Sequence, residues 1–345
     1  MQYVKLGWSG VKVSQLCLGM WHLPPSRVRD EYGVYKVDEE ESVRIIRRAI
    51  DLGINFIDTA NVYHGTMSGP DYIHAGNAER ILGNVLKGYD RESLVIATKV
   101  RFRMAPWPNG EGLSRKHIRW QIKESLRRLN LDYVDLYQIH APDPDTPKIE
   151  TLRALNQLVE DGLVNYIGES NHPAHDIVEF MELADKHNLE PFTTMQEPYN
   201  YIERWIENDK IPVAKRYGMA ILAYIPLAQG VLTGKYVDFE KKTWRIPEMS
   251  RADYIEGMRR RYFTDRNLKI LMEFHEVAKE LGVSDSQLAL AWMLKKGESL
   301  GVTIIPIIGA TSVKQLEEDL ESLNVKINDD VMKRLEDIYK TYTSQ

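Results

Sequence analysis

Short β-branched runs alternate with amphipathic segments along nearly the whole chain, the pattern of parallel strands joined by helical crossovers. Candidate strands fall at 15–19, 55–58, 94–99, 134–140, 164–168, 192–196, 219–224 and 303–308. Between them, apolar residues recur at three-to-four spacing: Val43, Ile46, Ala49 and Ile50; Ile118, Ile122, Leu126 and Leu129; Leu152, Leu155 and Val159. The series continues through Ile177, Phe180, Met181 and Ala184, through Leu271, Phe274, Ala278 and Leu281, and through Val313, Leu316, Leu320 and Leu323. About eight strands, each followed by a helix, predict an α/β fold of the TIM (β/α)8 barrel type, with a doubly wound sheet as the main rival. No Gly-x-Gly-x-x-Gly follows a strand, which removes support for a Rossmann site.

The chain of 345 residues exceeds the roughly 250 of a plain barrel, so it must carry additions. Residues 4–13 read as a hairpin across the barrel floor, with Trp8-Ser9-Gly10 between its arms. Residues 236–261 lack clean periodicity and read as an extended loop over the strand-seven side of the mouth. Residues 328–339 read as an extra C-terminal helix outside the repeat. The expectation is one barrel domain spanning 1–345.

Composition limits the partners. Lysine plus arginine number 45 against 50 acidic residues, a net charge of -5, so neither nucleic acid nor an anionic membrane is attracted globally. The run Arg259-Arg260-Arg261 suits a solvated face or a loop contact. No apolar run approaches the roughly 18 to 20 residues that cross a bilayer. A lone Cys17 and an N-terminus without a signal-peptide pattern lead to a cytoplasmic expectation. His172 and His175 have ligand-like spacing, but no cysteine or carboxylate cluster completes a metal set, and no metal is expected.

In such a barrel the chemistry sits at the C-terminal ends of the strands. Strand two ends in Asp58 with Tyr63 shortly after, strand three in Lys99, and strand four in His140. A phenol with a pKa near 10 is a slow acid at neutral pH unless a cation stabilises its phenolate. Lys99 is placed to be that cation, and Asp58 to keep a buried lysine charged. His140 would orient a carbonyl oxygen. Together the four suit reduction of a carbonyl by hydride with Tyr63 as proton donor, which requires a nicotinamide. Taken singly, each has an ordinary role: Asp58 as a helix cap, Lys99 reaching water, Tyr63 anchoring a loop, His140 satisfied in a core. Their meeting at three adjacent strand ends favours the chemical reading.

These residues resemble the aldo-keto reductase superfamily. Leu52-Gly53-Ile54-Asn55-Phe56-Ile57-Asp58-Thr59-Ala60-Asn61-Val62-Tyr63 is similar to that family's first signature, and Ala97-Thr98-Lys99 and Gln138-Ile139-His140 to its lysine and histidine strands. The likeness runs from Leu18-Gly19-Met20-Trp21 to the segment 306–320. It implies Tyr63 as general acid/base tuned by Lys99 and Asp58, with Tyr63, His140 and Trp21 facing substrate. It also implies cofactor contacts from Gly19, Met20, Trp21 and Asp58, a carboxamide grip by Ser170, Asn171 and Gln196, and Tyr224 stacked on the nicotinamide.

The segment 224–236, with Ile225, Pro226, Leu227, Gln229, Gly230, Leu232 and Lys235, resembles the pyrophosphate strap of the branch containing potassium-channel β subunits and related microbial reductases. Ile308, Gly309, Thr311, Gln315, Glu318 and Asp319 resemble the adenosine end. On local evidence the same stretch also reads as a helix capped by Ser312. Asp319 stands where an asparagine is common, and Thr311 where some members place an arginine. Lys235, Arg251, Lys314 and Gln315 remain as partners for a 2′-phosphate, so NADPH is expected over NADH.

A stretch inserted after Tyr63, residues 64–75, separates it from the helix of Glu79 to Gly83 and must border the substrate mouth. It either shapes specificity or a subunit contact, or is a solvent loop. The partner expected is a small carbonyl compound; a homo-oligomer is left open. The runner-up function is a nucleotide-sensing regulatory subunit with weak or no turnover, which the likeness to channel β subunits also implies; a third, a Schiff-base aldolase using Lys99, explains less of the sequence.

Overall fold

A computed structural model describes residues 1–66, 72–248 and 250–343, without the side chain of Tyr254. Eight parallel strands close into a barrel: β1 (Cys17–Gly19), β2 (Phe56–Asp58), β3 (Val95–Val100), β4 (Val134–Ile139), β5 (Val164–Ser170), β6 (Thr194–Pro198), β7 (Ala220–Tyr224) and β8 (Ile304–Ile308). Each pairs with its neighbours in sequence, and β8 closes onto β1 through Ile307 opposite Cys17. The TIM-type α/β barrel is therefore the fold, and the doubly wound sheet is excluded.

The strands alternate between two cores because side chains alternate across a pleated sheet. Cys17, Phe56, Val95, Leu136, Ala220 and Ile305 fill the barrel interior. Their outward neighbours, among them Leu18, Ile57, Ile96, Tyr137 and Ile221, pack against the helices. The floor is plugged by the expected hairpin, Tyr3–Lys5 paired with Lys12–Ser14, whose Leu6 is fully buried among the interior residues. Gly7 makes this approach possible. It adopts φ +61, and a Cβ there would lie 2.3 Å from the Thr193 carbonyl oxygen.

Around the barrel run helices Glu39–Asp51, Asn77–Leu86, Arg115–Leu129, Lys148–Glu160, Ala174–His187, Lys210–Tyr217, Asp285–Leu300 and Val313–Glu321. Local chemistry starts them: Asp38, Ser114 and Ser312 each accept a first-turn amide, and Ser284 with Gln287 forms a reciprocal capping box. Gly83 lets Asn77–Leu86 press against the next helix, since a Cβ there would meet the Arg128 carbonyl at 2.4 Å. Asp329–Thr343 lies outside the repeat, as expected. It is tied down by Tyr201, whose hydroxyl donates to the Leu335 carbonyl, and by Arg204, which grips Glu336 with both bonds from one nitrogen.

Three segments differ from the sequence expectation. Residues 236–261 are an ordered cover: a small hairpin of Val237–Asp238 and Thr243–Trp244, then helices Arg251–Tyr254 and Glu256–Tyr262. Elements of two to seven residues are too short to show a period, yet Trp244 stacks flat on Phe263 at 4.3 Å and Met258 and Tyr262 are buried. Asp285–Leu300 showed no stripe because Leu288 through Met293 are all buried, so no polar face marks it. A hairpin of Pro25–Arg29 and Tyr35–Val37 stands beside the mouth. The insertion 64–75 is described at its two ends; residues 67–71 lie outside the described residues.

Candidate active site

At the C-terminal end of the barrel a cavity of about 700 Å³ opens, lined from all around the mouth. Its wall includes Asp58, Tyr63 and His140 together with Gly19, Trp21, Ser170, Asn171, Gln196, Tyr224, Ile225, Pro226, Leu227, Gln229, Gly230, Lys235 and Arg251. Ile308, Gly309, Thr311, Gln315, Glu318 and Asp319 line the far end. Four predicted residues do not reach this wall: Lys99 lies fully buried behind it, Met20 and Leu232 belong to the core, and Lys314 lies off it.

Lys99 ends β3 with its ammonium in a closed set of acceptors. Nζ lies 2.5 Å from Asp58 Oδ2, 2.8 Å from the Thr59 carbonyl oxygen and 3.2 Å from Tyr63 Oη. An ammonium has three hydrogens, and all three are committed. Burial alone would depress this lysine, but the Asp58 carboxylate and Tyr63 more than offset it, and its pKa is raised. The other carboxylate oxygen of Asp58 accepts from Gln138 and Gln196, both at 3.0 Å, so the carboxylate is held from three sides.

Tyr63 therefore accepts from Lys99, and its own hydroxyl hydrogen is directed elsewhere. His140 Nε2 is 3.4 Å away. Burial and the Lys99 charge hold His140 well below the usual imidazole range, so the ring is neutral at pH 7. Burial pushes the Tyr63 phenol up, the Lys99 charge pulls it down, and the Asp58 charge raises it again; the net direction is up. The lysine thus limits the rise rather than producing an acidic phenol, because burial outweighs it and its counter-ion Asp58 adds to the rise.

The opposite wall is equally ordered. Ser170 Oγ donates to the Gln196 carbonyl at 2.8 Å, and Asn171 Nδ2 donates to the His140 carbonyl at 2.9 Å. The Tyr224 hydroxyl donates to Asn171 Oδ1 at 2.8 Å, fixing that amide's orientation. Beyond Tyr224 the backbone enters the left-handed region at Ile225, Ala228 and Gln229, with φ of 52, 48 and 57. For a β-branched isoleucine this is costly, and such strain is retained where the surrounding structure enforces it.

A dinucleotide fits the residues of this cleft. Gln229 Oε1 and Ser250 Oγ, on residues that line the cavity, are buried and lack hydrogen-bond partners among the described residues. Lys235 and Arg251 crowd the same stretch: burial and the Arg251 charge lower Lys235, and burial with both cations lowers His22 well below the ordinary range. An anionic group there would relieve that mutual repulsion. At the far end Thr311 donates from its amide and its hydroxyl to Gln315 Oε1, both at 2.9 Å, and Glu318 accepts from Ser286 at 3.2 Å. Burial and the neighbouring Glu318 push the Asp319 carboxyl up to about 8.

Sequence reasoning missed several wall residues. His22 and Phe102 follow strand ends one and three residues past the motifs that drew attention. Ser286 lies in the first turn of the capping-box helix, whose Ser284-x-x-Gln287 signature could have located it. Arg261, ion-paired with Glu203, comes from the segment read as a loop. His172 and His175 separate: the first is buried against Glu169 and the second is exposed. Among the described residues no group of three or more histidine, cysteine or acidic side chains is placed to hold a metal ion.

The barrel, the strand-end tetrad and the dinucleotide-shaped cleft define an NAD(P)H-dependent oxidoreductase. The model of the "Aldo/keto reductase family" matches residues 15–340. L-glyceraldehyde 3-phosphate reductase of Escherichia coli K12 is 35% identical over 333 residues, covering 94% of this chain and 88% of its own. A "Probable voltage-gated potassium channel subunit beta" of Arabidopsis thaliana is 36% identical over 330 residues, covering 94% and 92%. Aldo-keto reductase AMT2 of Alternaria alternata is 31% identical over 373 residues, covering 99% and 93%. The chain belongs to the aldo/keto reductase family. Among the described residues no helix is long and apolar enough to cross a membrane.

Proposed function

We propose that residues 1–345 act as one barrel domain that reduces aldehydes or ketones to alcohols with NADPH, Tyr63 being the proton donor. The observation that carries this reading is the position of Tyr63 Oη, 3.2 Å from Lys99 Nζ and 3.4 Å from His140 Nε2 on the cavity wall. NADPH, when bound, supplies the hydride to the carbonyl carbon. Ser170, Asn171 and Gln196 would hold its carboxamide, Tyr224 its ring, and the 225–235 strap its pyrophosphate. His140, neutral, orients the carbonyl oxygen, and Tyr63 protonates that oxygen as charge develops on it. Lys99 then holds the phenolate until it regains a proton from water.

The crowded cations Lys235 and Arg251, with His22, support a 2′-phosphate site and hence NADPH over NADH. Lys314 lies off the cavity wall and drops out of that set. Reduction of a small aromatic aldehyde with NADPH carrying deuterium at both C4 positions is the direct test. Deuterium on the carbinol carbon is expected; an alcohol without it, or no alcohol, overturns the reading.

A second reading, nucleotide sensing with weak turnover, draws support from the resemblance to a protein named as a channel subunit. Tight NADPH binding with turnover absent for every aldehyde tried would favour it.

A further inference from the structure

The cavity wall has a cationic stretch and an uncharged one, and the catalytic pair stands in the second. Lys235, Arg251 and Arg261 all come from the strap and cover beyond Tyr224. Around Tyr63 and His140 the wall is made by Trp21, Pro25, Val62, His64 and Phe102. Val62 and His64 flank Tyr63 in the chain, and Phe102 meets the His140 ring edge to face with centroids 4.8 Å apart. The segment from Trp21 to Pro25 is tied alongside, since the Met20 amide donates to the Asp58 carbonyl at 2.9 Å and the Leu23 amide to the Gly65 carbonyl at 2.7 Å.

Among the described residues this stretch contributes no lysine or arginine, although several stand close by in the chain. They are committed to their own loops. Arg101 Nε donates to the Pro142 carbonyl at 3.1 Å and Nη1 lies 3.6 Å from Glu111. Arg103 donates to the carbonyls of Ala105 at 3.1 Å and Pro106 at 2.7 Å. In the hairpin beside the mouth, Arg29 donates to the Gly33 carbonyl at 2.9 Å and the Tyr35 hydroxyl at 3.0 Å, while Arg27 and Lys36 are exposed and off the wall. The sequence 64–75 holds no basic residue other than its histidines. His64 turns Nδ1 to Thr66 Oγ1 at 3.0 Å, and because that hydroxyl's hydrogen goes to the Tyr35 carbonyl, His64 is the donor.

We propose that the substrate is an uncharged aryl aldehyde whose ring lies against Phe102 and Trp21, that aldehydes bearing an anionic substituent are refused, and that Phe102 is a specificity-determining residue. The proposal rests on the reading that Tyr63 and His140 receive the carbonyl oxygen. An anion seated beside that pair loses its water with no lysine or arginine to replace it. An aromatic ring gains ring contacts instead, because Phe102 and Trp21 are both only half-buried and have face or edge left to cover. The cations across the cavity do not reverse this: the cofactor's phosphate takes Lys235 and Arg251 in the same reading, and Arg261 is answered by Glu203. The Arg251 guanidinium lies over the Trp21 ring, 5.4 Å from its centroid, so the indole marks the border between the two stretches.

The test is steady-state reduction at saturating NADPH of two matched pairs: methyl 4-formylbenzoate against 4-formylbenzoate, which differ in charge, and benzaldehyde against cyclohexanecarboxaldehyde, which differ in flatness. In the wild type, kcat/KM for the ester is expected to exceed that for the acid by about a hundredfold, most of it in KM. Phe102→Arg places a cation on the wall and is expected to narrow that gap by about tenfold or more. Phe102→Leu is expected to lower kcat/KM for benzaldehyde about fivefold more than for the saturated ring. Each result is a ratio within one protein, so loss of folded material mimics none of them. Equal kcat/KM for ester and acid in the wild type overturns the refusal of anions. An unchanged gap in Phe102→Arg, or equal losses for the two rings in Phe102→Leu, overturns the role of Phe102. Absence of turnover with all four aldehydes while NADPH binds overturns the reading of Tyr63 and His140, and this proposal with it.

Discussion

The Lys99 ammonium donates to Tyr63 Oη at 3.2 Å with no hydrogen left to offer any other group, since Asp58 and the Thr59 carbonyl take the remaining two. The tyrosine is thereby committed as an acceptor on its buried side and leaves its own hydrogen for the cavity. Lys99→Met removes the cation that stabilises the phenolate while Gln138 and Gln196 still hold Asp58. Its kcat for aldehyde reduction is expected to fall by about a hundredfold or more. Thermal unfolding, measured alongside, should show a loss of roughly 3 kcal/mol from the unpaired Asp58 charge.

The pH profile follows from the same geometry. His140 is held well below its usual range and Tyr63 above its own. Neither group changes state between pH 6 and pH 9, so kcat for reduction, measured at saturating cofactor, is expected to be level over that interval. A descending limb centred near 6.5 would show that His140 protonates within the working range.

Arg251 and Lys235 carry the proposed preference between nucleotides. Arg251→Ala is expected to weaken NADPH binding about tenfold, the worth of one charge-assisted bond to phosphate, and NADH binding less than twofold. Equal losses for both nucleotides would move the 2′-phosphate elsewhere.

Asp319 stores a pH-dependent penalty. Its carboxyl is raised to about 8, chiefly by burial, whereas in the unfolded chain it titrates near the ordinary carboxylate value. The neutral form's contribution is fully present below the unfolded pKa and is lost as pH rises through the folded one, because the unfolded state ionises first. Asp319→Asn keeps the shape and removes the ionisation. Unfolding followed at pH 5 and pH 8 should show its stabilisation growing by roughly 1–3 kcal/mol toward the higher pH.

The mouth beside Tyr63 is braced by His74, whose Nε2 lies 2.6 Å from Asp30 of the Pro25–Val37 hairpin, and by Thr66, whose hydroxyl donates to the Tyr35 carbonyl at 2.5 Å. Pro25 and His64 on these segments line the cavity. His74→Ala is expected to change the aldehyde KM several-fold for bulky substrates and to leave NADPH affinity unaltered. Unchanged KM across a size series would assign these segments no part in specificity.

Much of this was legible in the chain. Every barrel strand overlaps a short run legible in the sequence, most of them β-branched, although 15–19 holds no β-branched residue; Asp58, Lys99 and His140 could be found because they stand at or just past strand ends. What stayed hidden has physical reasons. Leu288 to Met293 carry no polar face, so helix Asp285–Leu300 gave no period. Arg261 and Ser286 reach the wall because distant segments fold back over it, a tertiary fact with no local signature. The hairpin Pro25–Arg29 with Tyr35–Val37 was readable in principle, from Asp30 accepting the amides of Tyr32 and Val34 and from Gly33 at φ +77. The upward direction of the Tyr63 phenol comes first from burial, with the Asp58 charge adding to it, and neither that burial nor the Asp58 approach has a local signature in the chain.

The central claim is that Tyr63 delivers the proton. NADPH consumption with a reactive aromatic aldehyde, compared between wild type and Tyr63→Phe with cofactor affinity measured in both, tests it most directly. The account predicts a loss in kcat of about a hundredfold or more with affinity intact. Equal rates in the two proteins would contradict it, as would a wild type that binds NADPH tightly and turns over nothing.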